Sequence, residues 1–198
     1  GLGDVYKRQP SGFTKLDEIT SGWQKSDLVI IAGRPAMGKT SFALSIAKNI
    51  AVDNNEPIAF FSLEMNNVQL VNRLISNTCE ISGSKILSGQ LSDEEWKRFD
   101  VKVRNLTGTP IYIDDTPGLS IFELRTKARR LVREKGVKLI MIDYLQLMNA
   151  NGIRFGNRQE EVSTISRSLK GLAKELDIPV LALSQFCLLY TSPSPRDA

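Results

Sequence analysis

The chain has 198 residues, enough for one domain with a sizeable hydrophobic core and little room for a second. It contains no histidine and only two cysteines, Cys79 and Cys187, which excludes histidine-based catalysis and a disulfide framework. The formal net charge of +4 is compatible with a nucleic-acid partner but does not require one. No apolar run approaches the roughly 20 residues of a membrane span and the start does not resemble a signal peptide, so a cytoplasmic location without a membrane partner is expected.

The first half of the chain predicts two strands, each followed by a helix. Residues 28–32 (LVIIA) form a continuous apolar run, which is typical of a strand buried on both faces of a parallel sheet. A glycine-rich segment over 33–40 leads into a predicted helix over 41–51. Residues 57–63 (PIAFFSL) predict the next strand, and the apolar spacing over 68–79 predicts the next helix.

Two helices in the second half begin with capping boxes, in which a serine and the glutamate three residues later satisfy free amide groups at the helix start. Ser92 pairs with Glu95 in the first box, and Ser120 pairs with Glu123 in the second, whose helix is expected to end at Gly136. The remaining predicted elements are strands over 111–113, 138–142 and 179–183 and a helix over about 158–176. This alternation predicts an α/β fold, with a mostly parallel sheet and helices on both faces.

The two ends of the chain break the pattern. Residues 1–10 show no periodicity, and residues 186–198 (FCLLYTSPSPRDA) change from an apolar patch to a Ser/Pro-rich tail. We expect both segments to be non-native tails, which leaves residues 11–185 as the folded domain.

Residues 33–40 (GRPAMGKT) match the P-loop pattern G-x-x-x-x-G-K-[ST]. The glycines of such a loop let backbone N–H groups surround phosphate oxygens, and the following helix adds its N-terminal dipole. Lys39 is expected to reach the β- and γ-phosphates of ATP, and Thr40 to bind Mg²⁺. A glycine-rich turn without a ligand is the weaker alternative, because the motif stands between a predicted strand and a predicted helix. The candidate nucleotide-binding residues are Gly33, Arg34, Pro35, Ala36, Met37, Gly38, Lys39, Thr40 and Ser41.

Three polar residues follow or end predicted strands at the edge where the P-loop lies. Asp143 ends the apolar strand LIMID and is a candidate Mg²⁺ ligand. Glu64 follows the strand AFFSL, and it either polarises the attacking water or complements a helix N-terminus. Gln185 ends the strand LALSQ, and it either senses the γ-phosphate or is only a polar strand end.

Two basic segments are candidates for nucleic-acid binding. The predicted helix over 121–135 carries Arg125, Lys127, Arg129, Arg130, Arg133 and Lys135, but these lie opposite its apolar stripe, which favours a solvated face. The loop over 149–157 (NANGIRFGN) combines glycines with an arginine and an aromatic ring, which suits a nucleic-acid backbone and base stacking as well as it suits a plain surface loop. Arg154 and Phe155 of this loop, with the adjacent Arg158, are the candidate DNA-binding residues.

These segments together resemble the DnaB-type replicative helicases of bacteria and phages. The similarity covers about residues 11–185, through the blocks SGFTKLDEITSGW, GRPAMGKTSFALSIA, FFSLEM, LIMIDYLQLM, NRQEEVSTISRSLKGLAKEL and PVLALSQ. The resemblance implies a RecA-like motor domain that forms a homo-hexameric ring and moves 5′–3′ along single-stranded DNA with ATP hydrolysis. It also implies primase and a helicase loader as partners, in a bacterial or phage-infected cell.

The resemblance also implies a role for each matched residue. Lys39 and Thr40 would bind phosphate and Mg²⁺, and Glu64 would be the catalytic carboxylate. Asp143 would be the Walker B aspartate, and Gln185 would link the γ-phosphate to the DNA side of the ring.

The sequence also departs from this family. The family has a separate helical domain, a linker helix and a late arginine that reaches the neighbouring subunit's γ-phosphate, and none of these is found in the chain, so we expect it to be poorly active alone. Two other classes remain open on the sequence: a RecA- or RadA-like recombinase, and a loader- or clock-type ATPase that does not unwind DNA.

Overall fold

The computed structural model describes residues 11–20, 22–34, 38–149 and 157–185. In chain order, its main elements are α1 (Thr14–Thr20), β1 (Leu28–Gly33), α2 (Lys39–Lys48), β2 (Ile58–Ser62), α3 (Asn67–Cys79), α4 (Gly83–Ser88), α5 (Asp93–Leu106), β3 (Ile111–Asp114), α6 (Ile121–Lys135), β4 (Leu139–Asp143), α7 (Arg158–Leu176) and β5 (Val180–Gln185). A π-helical segment (Asn49–Asp53) continues α2, and a 3₁₀ turn (Leu145–Leu147) lies just beyond β4.

The strands of the described residues form one parallel sheet in the order β1-β5-β4-β2-β3. Parallel neighbours need crossover connections, and the helices between the strands supply them. The predicted α/β fold with a parallel sheet is therefore confirmed.

Alternate residues of the central strands pack into two hydrophobic layers. In β2, Ile58 and Phe60 lie in the layer that contains residues of α2 and α3, whereas Ala59 and Phe61 lie in the layer that contains residues of α6 and α7. All five residues of β2 and all five of β4 are buried. This explains their continuous apolar sequences, since a strand covered on both faces has no polar side.

The helix ends follow the predicted caps. Both capping boxes are formed, at Ser92 with Glu95 and at Ser120 with Glu123. Gly136 follows α6 in the left-handed conformation with φ 64°, which glycine adopts without strain. These local predictions are confirmed.

One strand prediction was wrong. We expected the first strand to be buried on both faces, but β1 lies at an edge of the described sheet, with the Ile30 side chain 46% exposed. An apolar run reports how hydrophobic a strand is, but not where the strand lies in the sheet. The short helices α1 and α4 were not predicted at all, because neither is long enough to show a clear helical period.

The basic side chains of α6 are paired within the domain. Arg125 and Arg129 both contact Glu175 of α7, and Lys127 contacts Asp114 of β3. The three remaining cations have partners as well, with Arg130 and Arg133 on Glu134 and Lys135 over the ring of Tyr112. Each basic side chain of α6 thus has an acidic or aromatic partner within the domain, as a solvated face would have, and the absence of a nucleic-acid role for this face stays a prediction.

Candidate nucleotide-binding site

The described part of the P-loop has the geometry that its sequence demands. Gly38 stands at the N-terminus of α2 with φ 74°, a left-handed conformation that strains residues with a Cβ. A Cβ added at Gly38 would meet nothing within 4 Å, so the backbone angle is the reason for glycine here, and crowding is not. Pro35, Ala36 and Met37 lie outside the described residues.

The Lys39 side chain folds back across the loop. Its ammonium group donates hydrogen bonds to the carbonyl oxygens of Gly33 at 2.8 Å and of Arg34 at 2.7 Å. The positive charge is thereby held beside Gly33 and Arg34, next to the first turn of α2. An ammonium and the free amide groups of a helix N-terminus both favour an anion at this position.

The next residue of α2 contacts the end of β4. Thr40 Oγ1 donates a hydrogen bond of 2.9 Å to Asp143 Oδ2. Asp143 is 2% exposed, and it is the one acidic residue that is buried among the described residues. A hydroxyl and a carboxylate in contact form an oxygen donor set of the kind that a hard divalent cation prefers.

The surroundings of Asp143 disfavour the ionised form of its carboxyl group. Burial raises the pKa of the Asp143 carboxyl above its ordinary value, and the hydrogen bond from Thr40 partly opposes this effect. The neighbouring Glu64 raises the pKa further, while Arg73 and Lys39 lower it. The net effect is a raised pKa. The hydrogen bond from Thr40 and the positive charges of Arg73 and Lys39 therefore do not fully offset the cost of burying the ionised carboxylate.

The sheet register brings the strand-end residues together. Ser62 of β2 lies opposite Asp143 of β4, which places Glu64 just beyond the same edge of the sheet. Gln185 of β5 lies opposite Gly33, the first residue of the P-loop. Ligand sites of parallel α/β sheets form at the carboxyl ends of the strands, where these residues meet.

A cavity of about 280 Å³ lies at this edge. Its lining residues are Gly38, Lys39, Thr40, Ser41, Glu64, Met65, Arg73, Asp143, Tyr144 and Gln185. The cavity therefore brings together the sequence-predicted Lys39, Thr40, Glu64, Asp143 and Gln185. Glu64 lies outside α3, whose N-cap is Asn66, so a role at that helix terminus has no support in this geometry.

Three lining residues were not among the sequence-predicted candidates. Arg73 reaches the cavity from the second turn of α3, where it is the one basic residue of that helix. A lone cation soon after the Glu64 motif was the signal that could have identified it. Met65 and Tyr144 are the chain neighbours of Glu64 and Asp143, and burial is the first cause of the raised pKa of the Tyr144 phenol.

The candidate DNA-binding residues are only partly described. Arg154 and Phe155 lie outside the described residues. The Arg158 guanidinium donates to the carbonyl oxygen of Met148 at 2.9 Å, and it also contacts the carbonyl of Gln146 and the carboxylate of Glu161. These contacts give Arg158 a structural function at the start of α7, and its contact with DNA stays a prediction.

The parallel sheet, the P-loop and the paired Thr40 and Asp143 define the chain as a P-loop nucleotide-binding α/β domain. The sequence model of the family described as "DnaB-like helicase C terminal domain" matches residues 9–190, nearly the whole chain. The chain belongs to this family.

Relatives in bacteria agree with this assignment. The chain is 51% identical over 176 residues to the replicative DNA helicase DnaB of Geobacillus stearothermophilus, and 49% identical over 176 residues to the replicative DNA helicase DnaC of Bacillus subtilis. Each match covers 89% of this chain and 39% of the relative. The chain thus spans about two fifths of the length of these curated relatives.

Solved structures share the fold. One of them, described as an ATPase domain, superimposes with a TM-score of 0.85 at 37% identity, over 95% of this chain and 66% of that one. A DnaB-like replicative helicase, solved in a study of its interactions with primase, gives a TM-score of 0.85 at 38% identity, over 94% of this chain and 45% of that one. The RecA-like fold of these ATPase domains is therefore the fold of this chain. No described helix has the length and apolarity to cross a lipid bilayer.

Proposed function

We propose that this chain is the ATP-hydrolysing motor of a replicative DNA helicase, with residues 11–185 as the motor domain. In the whole protein, the motor would convert ATP hydrolysis into 5′–3′ movement along single-stranded DNA and separate the duplex at the replication fork. The observation that carries the proposal is the convergence of Lys39, Thr40, Glu64, Asp143 and Gln185 on one cavity, in a chain of this family.

The phosphates of ATP fit the P-loop side of the cavity. Lys39 would exchange its bonds to the carbonyls of Gly33 and Arg34 for bonds to the β- and γ-phosphates. The first amide groups of α2, at Lys39 to Ser41, would donate to phosphate oxygens along the helix axis. A charged group thus leaves two neutral acceptors for an anion, which strengthens each of its hydrogen bonds.

Thr40 and Asp143 would hold Mg²⁺ at the same edge. The fit rests on the all-oxygen donor pair and on the buried Asp143 carboxylate, whose raised pKa reflects an incompletely compensated negative charge. When bound, Mg²⁺ supplies positive charge that offsets the charge of the phosphate oxygens.

Glu64 and Gln185 lie where the reaction would be controlled. The exposed carboxylate of Glu64 is free of the α3 terminus and would accept a proton from the water that attacks the γ-phosphate. The Gln185 amide would donate to the γ-phosphate and so report its presence to the end of β5. Arg73 would place a second cation on the side of the cavity that faces Asp143.

The partners proposed for the whole protein are those that the family resemblance implies. We propose that it assembles as a homo-hexamer on single-stranded DNA, with Arg154 and Phe155 in a loop that contacts the DNA. Primase is a proposed partner because a structural relative was studied with primase, and a helicase loader is proposed with it.

An unwinding assay tests this function. The whole protein, with ATP and Mg²⁺, should separate a forked DNA duplex that carries a 5′ single-stranded tail, and the Lys39→Ala protein should not. ATP hydrolysis without unwinding would favour a loader- or clock-type ATPase. Open filaments on DNA instead of closed rings in electron micrographs would favour a recombinase.

A further inference from the structure

The carboxyl end of β5 extends past the end of its neighbour β4. The pairing of β4 with β5 ends where Ile142 lies opposite Ala182. The pairing of β1 with β5 continues three residues further, to Gly33 opposite Gln185. Within the described sheet, residues 183–185 therefore pair with a strand on one side only.

The side chain of Gln146 forms hydrogen bonds with the end of β5 on the side where the pairing with β4 has ended. Its Nε2 donates to the carbonyl oxygen of Gln185 at 2.9 Å and to Ser184 Oγ at 2.7 Å. Its Oε1 accepts a hydrogen bond from the backbone N–H of Gln185 at 3.1 Å. A primary amide has the donor and acceptor of a peptide group, so the Gln146 side chain adds one rung to the β-ladder.

The backbone of Gln146 is held in turn by Arg158 of α7. It lies in the 3₁₀ turn Leu145–Leu147 that follows β4, and its side chain is half-buried. The Arg158 guanidinium of α7 contacts the carbonyl oxygen of Gln146 and donates to that of Met148 at 2.9 Å. The turn is thus anchored to α7 through its backbone and to β5 through the Gln146 side chain.

We infer that Gln146 is a positioning residue, which holds Gln185 at the distance from the P-loop that contact with the γ-phosphate requires. Gln185 lines the nucleotide cavity and Gln146 does not, so Gln146 acts through Gln185. The inference rests on the proposed function, in which the cavity binds ATP and Gln185 contacts the γ-phosphate. Such a contact needs a donor held within about 0.5 Å of its productive position. A strand end that is paired on one side only would not hold the donor that closely.

This role differs from a general contribution to stability. Ser184 and Gln185 are half-buried, so water can replace part of the hydrogen bonding that Gln146 provides. Residues 180–183 are buried between the helix layers and keep β5 in the sheet without Gln146. Removal of the Gln146 amide should therefore loosen the end of β5 while the rest of the domain stays folded.

The test compares nucleotides with and without a γ-phosphate. Calorimetry on the 198-residue chain gives Kd for Mg-ADP and for the Mg complex of a non-hydrolysable ATP analogue. The Kd for Mg-ADP divided by the Kd for the analogue measures recognition of the γ-phosphate. Gln146→Leu should reduce this ratio about tenfold, the value of one hydrogen bond to a charged group, and leave Kd for Mg-ADP within about twofold. Gln185→Ala should have the same effect, and the double variant should lose no more than either single one.

Two further variants sharpen the result. Gln146→Met removes the amide donor and acceptor but keeps the length of the side chain, so its ratio should fall as far as that of Gln146→Leu. It carries the test if Gln146→Leu fails to fold. Gln90→Leu, on the exposed segment between α4 and α5, is the matched control and should leave the ratio unchanged.

The outcomes separate the inference from the proposed function. An unchanged ratio in Gln185→Ala would remove the γ-phosphate contact from the proposed function. A reduced ratio in Gln185→Ala beside an unchanged one in Gln146→Leu would overturn the inference alone. Equal weakening of both nucleotides in Gln146→Leu would also overturn it, since it would show a merely structural role.

Discussion

Replacement of Asp143 by asparagine should make the nucleotide-free protein more stable. The carboxylate is 2% exposed, and its one described hydrogen-bond donor is Thr40 at 2.9 Å. Asparagine keeps the shape of the side chain and an oxygen that accepts from Thr40, while it removes the negative charge. A buried group that destabilises the empty site and serves only the ligated one is the behaviour expected of a metal ligand.

The magnitude follows from the balance around the carboxylate. Transfer of an ion to such a site costs several kcal/mol, and a hydrogen bond to a charged group offsets about 1.5–3 kcal/mol. The pKa of Asp143 is raised, first by burial, so the attraction of Lys39 and Arg73 does not cancel the remaining cost. We expect Asp143→Asn to increase the free energy of unfolding by about 1 kcal/mol near pH 7, or about 2–4 °C in Tm.

Binding of an Mg-nucleotide should make the wild-type protein more stable than Asp143→Asn. An Mg-nucleotide at about 100 times its Kd should stabilise the wild-type protein by about 2.7 kcal/mol, or about 5–10 °C in Tm, and should stabilise Asp143→Asn far less. Thermal unfolding with and without Mg-nucleotide measures both effects. Asp53→Asn is the matched control, because the Asp53 side chain is 55% exposed and its ion pair with Lys48 spans 4.0 Å.

Acid should remove the difference between Asp143→Asn and the wild type. A raised folded-state pKa means that the cost of ionised Asp143 is fully present above that pKa and is lost as the pH falls below the ordinary value of 3.8. The Tm values of the two proteins should therefore converge on acidification. A nucleotide-free Asp143→Asn protein less stable than wild type at pH 7, or an intact Mg-dependent shift in Tm, would refute the reasoning.

Two further predictions concern other carboxylates. In the whole protein, Glu64→Gln should retain Mg-ATP binding and lower kcat by about 10²–10⁴, because the proton acceptor for the attacking water is lost; a phosphate-release assay measures it, and an unchanged kcat would contradict the role. Partial burial raises the pKa of Asp114, but the hydrogen bonds from Lys127 and Thr116 outweigh it and leave the pKa lowered. The stability that ionised Asp114 provides is thus present above the ordinary value of 3.8 and is lost as the pH falls through the lowered folded-state pKa. Asp114→Asn should lower the free energy of unfolding by about 1 kcal/mol at pH 7 and have no effect in strong acid, as measured by urea unfolding; a loss of equal size at both pH values would argue against the ion pair with Lys127.

Features set by local sequence could be predicted well. The capping box at Ser120 with Glu123 involves residues three apart, and the glycine at Gly136 follows from the backbone angle at the end of a helix. The central strands β2 and β4 were predictable because burial on both faces favours a continuous apolar run, which in each strand is interrupted only by the polar residue at its end. The alternation of such strands with helices then leaves few parallel arrangements.

Features set by tertiary placement could not be predicted. The edge position of β1 depends on which strands lie beside it, and its apolar sequence does not indicate which strands those are. Gln146 was hidden because its partners, Ser184 and Gln185, are 38 and 39 residues away in the chain. Arg125 and Arg129 likewise find Glu175 at separations of 50 and 46 residues, so only the fold reveals that their charge is compensated.

Calorimetric titration of the chain with Mg-ATP, beside the Lys39→Ala variant, tests the central claim most directly. Lys39 lies over the P-loop through its bonds to Gly33 and Arg34, and we assign its charge to the phosphates. The wild-type chain should bind Mg-ATP at one site, and Lys39→Ala should not bind it while its circular dichroism and Tm show a folded domain. A folded Lys39→Ala variant that binds Mg-ATP as tightly as the wild type would contradict the assignment of this cavity as the ATP site.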